Sequence, residues 1–210
     1  MRLIVVALTL VMVVTCSSSS ESPEDKPKRR PDIHFVPTPE PLIAKMLSMA
    51  KVGPNDVVYD LGSGDGRIVI AAARDFGARG VGIELDPKLV RKANENAKTA
   101  GVADRVEFRV GDIFEEDLSK ATVVTLYLLP KINIKLKPKL FRELKPGSRI
   151  VTSSFDFGDW KPEQTGHVKD MKAMLWTVPE NARELADAPS DAGVTDGGIT
   201  DAHAAGDPAH

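Results

Sequence analysis

Cysteine is almost missing from this sequence. Cys16 stands alone among 210 residues, which excludes an intramolecular disulfide, a cysteine zinc cluster and a thiol nucleophile in the folded part of the chain. An excess of one charge is missing too: 28 Lys and Arg stand against 30 Asp and Glu, a formal net charge of -2. That balance lacks the basic footprint of a nucleic-acid binder. Neither a metal site nor a nucleic-acid partner is expected, and no internal repeat recurs. What is present is ordinary globular composition, 42% apolar and 28% charged, in a length that suits one domain with a sizeable core plus tails.

The N-terminus separates from the fold. Met1 and Arg2 precede an apolar run from Leu3 to Val14, broken at Thr9, and Thr15, Cys16 and four serines follow. At about a dozen residues the run falls short of the roughly 20 that a bilayer span needs and suits a signal segment. Residues 1–16 resemble a bacterial lipoprotein signal, with Val13-Val14-Thr15-Cys16 in the place of the lipobox. The resemblance implies a lipidated Cys16 and a membrane-anchored protein of the cell envelope. Thr15 departs from the pattern, which has Gly, Ala or Ser before the cysteine. An uncleaved anchor or a wrongly chosen start codon are the alternatives. Lys26, Lys28, Arg29 and Arg30 follow the run and only Arg2 precedes it, a bias that leaves the domain of an uncleaved anchor facing the cytoplasm.

Residues 17–32 are polar and Pro-, Ser- and charge-rich, the composition of a solvated tether. The folded domain is expected over 33–180. Residues 181–210, rich in Ala, Asp, Gly and Pro, hold too little apolar surface to offset the entropy of ordering and are expected to form a disordered tail. His203 and His210 fall in that tail, where low-complexity sequence is the simple reading and a metal tract the other. Between the tails, β-rich runs alternate with helical stretches, the pattern of an α/β fold with a mostly parallel sheet and helices on both faces. Strands are expected at Val57–Leu61, Gly80–Glu84, Val106–Val110, Ala121–Tyr127 and Arg149–Phe155, with an antiparallel closing strand at Ala173–Val178. Helices are expected at about Glu40–Ala50, Arg67–Phe76, Pro87–Ala100 and in a segment ending at Leu144, before Lys145-Pro146-Gly147.

The first strand runs into Asp60-Leu61-Gly62-Ser63-Gly64-Asp65-Gly66 and then a helix. That places the loop at the carboxyl edge of the sheet, where open α/β folds bind ligands. The spacing G-x-G-x-G differs from the dinucleotide fingerprint G-x-G-x-x-G, and the acids Asp60 and Asp65 suit a cationic ligand better than a pyrophosphate. S-adenosylmethionine carries an ammonium and a sulfonium, and Asp60 is placed for its amino-acid end, directly or through water. Glu84, ending the second strand, is placed to accept the ribose hydroxyls. Asp112, after the third strand, suits the adenine amino group, with Ile113 packing on the ring. Each acid alone also reads as a capping or turn residue; the three together at successive strand ends point to the cofactor.

Val58 to Ala73 resembles motif I of class I, Rossmann-like S-adenosylmethionine-dependent methyltransferases, and specifically the small bacterial and archaeal group related to the FAM173-type protein lysine methyltransferases. Phe35-Val36-Pro37-Thr38-Pro39, Gly82 to Pro87, Leu126-Tyr127-Leu128-Leu129-Pro130 and Trp176-Thr177-Val178-Pro179 match that group's pattern, so the resemblance covers about Ile33 to Pro179. It implies methyl transfer to lysine side chains of a protein partner, with Thr38 closing the carboxylate end of the cofactor and Tyr127, Leu128 and Pro130 lining an acceptor channel. A helix-entry turn for Thr38 and an ordinary strand end for Tyr127 are the plain alternatives.

Methyl transfer is an in-line displacement at a sulfonium carbon, served by alignment and exclusion of water rather than by many catalytic side chains. No catalytic residue is assigned. A lysine acceptor has to arrive neutral, which an apolar channel favours by desolvating the ammonium. The Asn-Pro-Pro-Tyr motif of many amino-group methyltransferases is absent. His34 and His167 lie near the fold as a general base or, more plainly, as surface or packing groups. A small-molecule or lipid acceptor, and a non-catalytic S-adenosylmethionine-binding protein, are the other readings.

Overall fold

The computed structural model describes residues 36–187. The signal segment with Cys16, the tether, His34 and the tail beyond residue 187 lie outside the described residues. Within them runs the order α1 (Glu40–Met49), β1 (Val57–Leu61), α2 (Arg67–Phe76), β2 (Arg79–Glu84), α3 (Pro87–Thr99), β3 (Val106–Val110), β4 (Val123–Leu126), α4 (Pro130–Glu143), β5 (Arg149–Ser153), β6 (Gln164–Val168), β7 (Met171–Thr177) and α5 (Ala182–Asp187). The strands form one sheet in the order β3-β2-β1-β4-β5-β7-β6. β1 to β5 pair in parallel, while β7 runs antiparallel between β5 and β6. The order turns back at β1 and β4, which puts the ligand crevice at their carboxyl ends.

Alternation along the strands feeds two cores. Val58, Val123 and Val151 point to one face and pack with α1 and α2 through Leu42, Met46, Leu47, Ile68 and Ala72. Tyr59, Leu61, Val124, Leu126 and Ile150 point to the other and pack with α4 through Leu136, Leu140 and Phe141. α3 joins the first face, where Val90, Ala93 and Ala97 meet Val69, Ile70 and Phe108. α3 starts cleanly because the Asp86 side chain accepts the Lys88 N–H at 2.8 Å and Pro87 occupies the first turn. No helix among the described residues is long and apolar enough to cross a membrane.

Three differences from the sequence reading have local causes. β6 was not anticipated: Gln164–Val168 is polar and mostly exposed at the sheet edge, and its hairpin to β7 turns through Lys169 at φ +53°, an angle that sequence rules reserve for glycine or asparagine. β5 stops at Ser153 rather than Phe155, because Ser154 takes φ +66° and the Phe155 N–H bonds back to the Ser153 carbonyl at 2.8 Å. Residues 182–187, expected to begin the tail, form α5, with Ala182 and Ala186 buried in the α4-side core.

Candidate active site

Between β1 and α2, Gly62, Gly64 and Gly66 take φ of +82°, +55° and +80°. At Gly66 angle and space coincide: a Cβ there would lie 2.6 Å from Phe108 Cζ and 2.9 Å from Ala93 Cβ, so this glycine lets α2 close on β3 and α3. Gly62 is different. It is exposed, and the nearest atom to a Cβ would be Leu128 Cδ2 at 3.0 Å, so its bare backbone faces the loop after β4. The N–H groups of Gly62 and Ser63 both donate to the Ile83 carbonyl, at 2.9 and 3.0 Å, which pins the loop to β2.

The three acids sit at successive strand ends, each held differently. Asp60 is 3% exposed, and its Oδ1 accepts the Thr125 hydroxyl at 2.6 Å across the β1–β4 pairing. Burial, aided by the charges of Glu84 and Asp65 and opposed by the Thr125 bond, pushes its carboxyl up to about 7. Glu84 is 9% exposed; its Oε2 accepts the Gly64 N–H at 2.9 Å and its Oε1 the Asp86 N–H at 3.0 Å. It therefore clamps the glycine loop to the start of α3, and each oxygen keeps a second lone pair for a ligand hydroxyl. The Asp112 Oδ1 accepts the Phe114 N–H at 2.9 Å, opening a turn that the Gly111 N–H fastens to the Glu84 carbonyl at 3.0 Å. Ile113 is half-buried against the α4-side core.

Thr38 is buried just ahead of α1, and its carbonyl accepts Arg67 Nη1 at 3.1 Å. The same guanidinium grips both oxygens of Asp65, at 2.9 and 2.7 Å, while the Asp65 carbonyl accepts Asn96 Nδ2 at 2.9 Å. Arg67, which sequence reasoning passed over, thus joins the pre-helix segment to the glycine loop. Thr125 was missed as well, although a hydroxyl in an otherwise apolar strand was a visible signal.

β4 delivers Leu126 to Pro130 to the same edge of the sheet. Leu126 and Leu128 are buried, Tyr127 is half-buried, and Leu129 and Pro130 are exposed, Pro130 opening α4 in the position that needs no N–H. Beyond them the Phe155 carbonyl accepts the Thr152 hydroxyl at 2.6 Å and Asn133 Nδ2 at 3.2 Å. Asn133 and Ser154 had no sequence signal. His167 is exposed on β6, separated from β1 by β4, β5 and β7, so it is not brought to the glycine loop. Among the described residues, no group of His, Cys, Asp or Glu is arranged to hold a metal.

The ANTKMT methyltransferase domain model matches residues 60–164, from Asp60 of the glycine loop to the start of β6. The chain belongs to the ANTKMT methyltransferase family. Its relatives include a protein-lysine N-methyltransferase of Saccharolobus islandicus, 47% identical over 67% of this chain and 88% of that one. The adenine nucleotide translocase lysine N-methyltransferase of Mus musculus is 36% identical over 57% of this chain, and the match spans 52% of that protein. A solved structure, an RNA methyltransferase from Salinibacter ruber in complex with S-adenosyl-L-homocysteine, is 58% identical over 74% of this chain and 98% of its own, with a TM-score of 0.69. S-adenosylmethionine is therefore the cofactor of this ANTKMT-family chain, and the crevice between the strand-end acids and the glycine loop is the candidate place for it.

Proposed function

We propose that this chain transfers a methyl group from S-adenosylmethionine to the side-chain amine of a lysine in a protein. The observation that carries the reading is the arrangement of Asp60 and Glu84 beside the glycine loop, Glu84 on the Gly64 N–H, with Leu128 of the segment after β4 directly across from Gly62. S-adenosylmethionine supplies an electrophilic methyl group on a sulfonium. Glu84 offers two carboxylate oxygens to the ribose hydroxyls, and Asp60, buried and short of compensating cations, offers charge to the cofactor's ammonium. Asp112 and Ile113 serve the adenine, and Thr38, held by Arg67, closes the amino-acid end. Leu128, Tyr127 and Pro130 form the acceptor wall, where exclusion of water lowers the amine's affinity for its proton and leaves the nitrogen lone pair free.

The lysine acceptor takes its support from the relatives named as lysine methyltransferases. The second reading, an RNA acceptor, takes its support from the name of the Salinibacter ruber structure. The near-balanced charge of this chain favours protein over a phosphate backbone. The deciding experiment incubates the purified protein and isotope-labelled S-adenosylmethionine with a cell extract. Label in protease-sensitive, ribonuclease-resistant material supports the lysine reading; label removed by ribonuclease replaces it with RNA, and label confined to small metabolites rejects both.

We also propose that residues 1–16 are a lipoprotein signal and that lipid on Cys16 tethers the domain to the cell envelope. The support is the short apolar run and the placement of the cysteine. A fatty-acid probe on cells, with protease accessibility of spheroplasts, tests it: no lipid on Cys16 and full protection from protease would make the segment a cytoplasm-facing anchor instead, on the side where S-adenosylmethionine is made.

A further inference from the structure

Asn133 is fully buried in the first turn of α4, just past the Leu126–Pro130 loop. Its Nδ2 donates to the carbonyls of Phe155 and Asp156, at 3.2 and 3.4 Å. Two carbonyls facing one end of the amide fix that end as the NH2, so the other end is the carbonyl oxygen. That oxygen is buried and has no hydrogen-bond partner. An unpaired buried acceptor is costly and rare in a native fold. A second anomaly adjoins it. Ser154 holds φ +66° in a turn closed by the Phe155 N–H on the Ser153 carbonyl at 2.8 Å, and backbone strain of this kind gathers at functional sites. The Phe155 carbonyl belongs to both features, since it accepts Asn133 Nδ2 and the Thr152 hydroxyl.

Both anomalies lie at the carboxyl ends of β4 and β5, the half of the crevice away from β2, β3 and Glu84. We infer that Asn133 is a specificity-determining residue of the acceptor site, its side-chain carbonyl taking an N–H of the entering amine. This rests on the amine-acceptor reading above and deepens it. A carbonyl oxygen accepts hydrogen bonds and donates none, so it selects an acceptor that carries an N–H and turns the nitrogen lone pair away from itself. The strained turn at Ser154 and the Thr152 bond hold the Phe155 carbonyl, which in turn holds the amide plane.

The test compares Asn133→Leu, Asn133→Asp and Thr152→Val with the natural protein on a lysine-containing protein substrate, after melting curves show which variants fold. Thr152→Val removes an anchor of the same turn without touching the Asn133 oxygen. The expected result is a fall of about tenfold in kcat/KM for Asn133→Leu, an altered ratio of mono- to dimethyl-lysine, an S-adenosylmethionine Kd within about twofold of natural, and a smaller fall with an unchanged product ratio for Thr152→Val, which loosens the Phe155 carbonyl but keeps the Asn133 oxygen. Asn133→Asp keeps an oxygen but adds negative charge, which stabilises an ammonium, so the rising limb of its rate against pH should move to higher pH. This arm stands even where Asn133→Leu does not fold. Equal losses in Asn133→Leu and Thr152→Val with an unchanged product ratio, or an unshifted limb in Asn133→Asp, would overturn the inference. Absence of lysine methylation by the natural protein would instead remove the acceptor reading beneath it.

Discussion

Arg67 holds Asp65 through a two-pronged pair, at 2.9 and 2.7 Å, and with its remaining prong holds the Thr38 carbonyl at 3.1 Å. One side chain thereby sets the segment ahead of α1 against the glycine loop. The pair is partly exposed, at 34% and 17% of the two side chains, so Arg67→Ala should cost about 1 kcal/mol of stability or less. Its larger effect should be on S-adenosylmethionine affinity, a loss of about three- to tenfold from misplacement of Thr38. Arg67→Lys should fall between, since an ammonium cannot span both Asp65 oxygens and Thr38. Calorimetric titration checks the order; unchanged affinity in Arg67→Ala would separate Thr38 from the cofactor.

Glu84 clamps Gly64 and Asp86, and in the proposed function its remaining lone pairs meet the ribose. Glu84→Ala should weaken cofactor binding by about 1.5 to 3 kcal/mol, the scale of a lost charge-assisted hydrogen bond. Calorimetry on a variant shown to be folded tests this, and an unaltered affinity would place the ribose elsewhere.

Gly62 and Gly66 should fail in different ways. A methyl at Gly66 meets Phe108 at 2.6 Å in a left-handed backbone, so Gly66→Ala should destabilise the fold by about 2 kcal/mol or more. At Gly62 the only close atom among the described residues is the flexible Leu128 Cδ2 at 3.0 Å. Gly62→Ala should therefore lose about 1 kcal/mol from its backbone angle and show its main defect in cofactor affinity. Paired denaturant and binding titrations distinguish the two; a reversed pattern would mean that Gly62 faces packing rather than ligand.

Asp60 gives the protein a pH signature. Its carboxyl titrates at about 7 in the folded chain against an ordinary 3.8, so between about 4 and 7 the folded state holds a proton that the unfolded state has released. Stability from this group is therefore lost as pH rises through that window. Cofactor affinity should run the other way, strengthening toward and above about pH 7 as the carboxylate ionises beside a cationic ligand. Asp60→Asn should flatten both slopes and melt at higher temperature than the natural protein at about pH 8. A natural protein whose affinity and melting temperature are both flat from about pH 5 to 8 would contradict the buried, ligand-facing role of Asp60.

The parts of this fold legible in the sequence are those where pattern and geometry share a cause. β1 and β3 are bounded to the residue because short apolar runs end at Gly62 and Gly111, and so are α2 and the start of α3, because Gly66, Gly77 and the Asp86-Pro87 cap mark them. The placement of Asp60, Gly62, Gly64 and Glu84 at the ends of β1 and β2 was legible through the order of strands and turns. β6 was not, because Gly166 and Val168, on the face it turns toward α1, are too little apolar surface to read as a strand pattern. α5 was hidden by its small residues, since Ala182 and Ala186 carry little hydrophobic signal yet fit flat against the core. Arg67 and Asn133 were invisible for another reason: their partners, Thr38 and the Phe155 and Asp156 carbonyls, are brought near only by the folded sheet.

The most direct measurement is fragmentation mass spectrometry of a protein substrate labelled by the purified natural chain and by Glu84→Ala, with isotope-labelled S-adenosylmethionine at a concentration near the natural protein's Kd. Lysine methylation at the Glu84 crevice predicts labelled methyl groups on lysine side-chain nitrogens with the natural chain, and labelling by Glu84→Ala reduced at that concentration and regained as cofactor is raised. Label on RNA or on another amino-acid side chain, or equal labelling by Glu84→Ala at low cofactor, would contradict it.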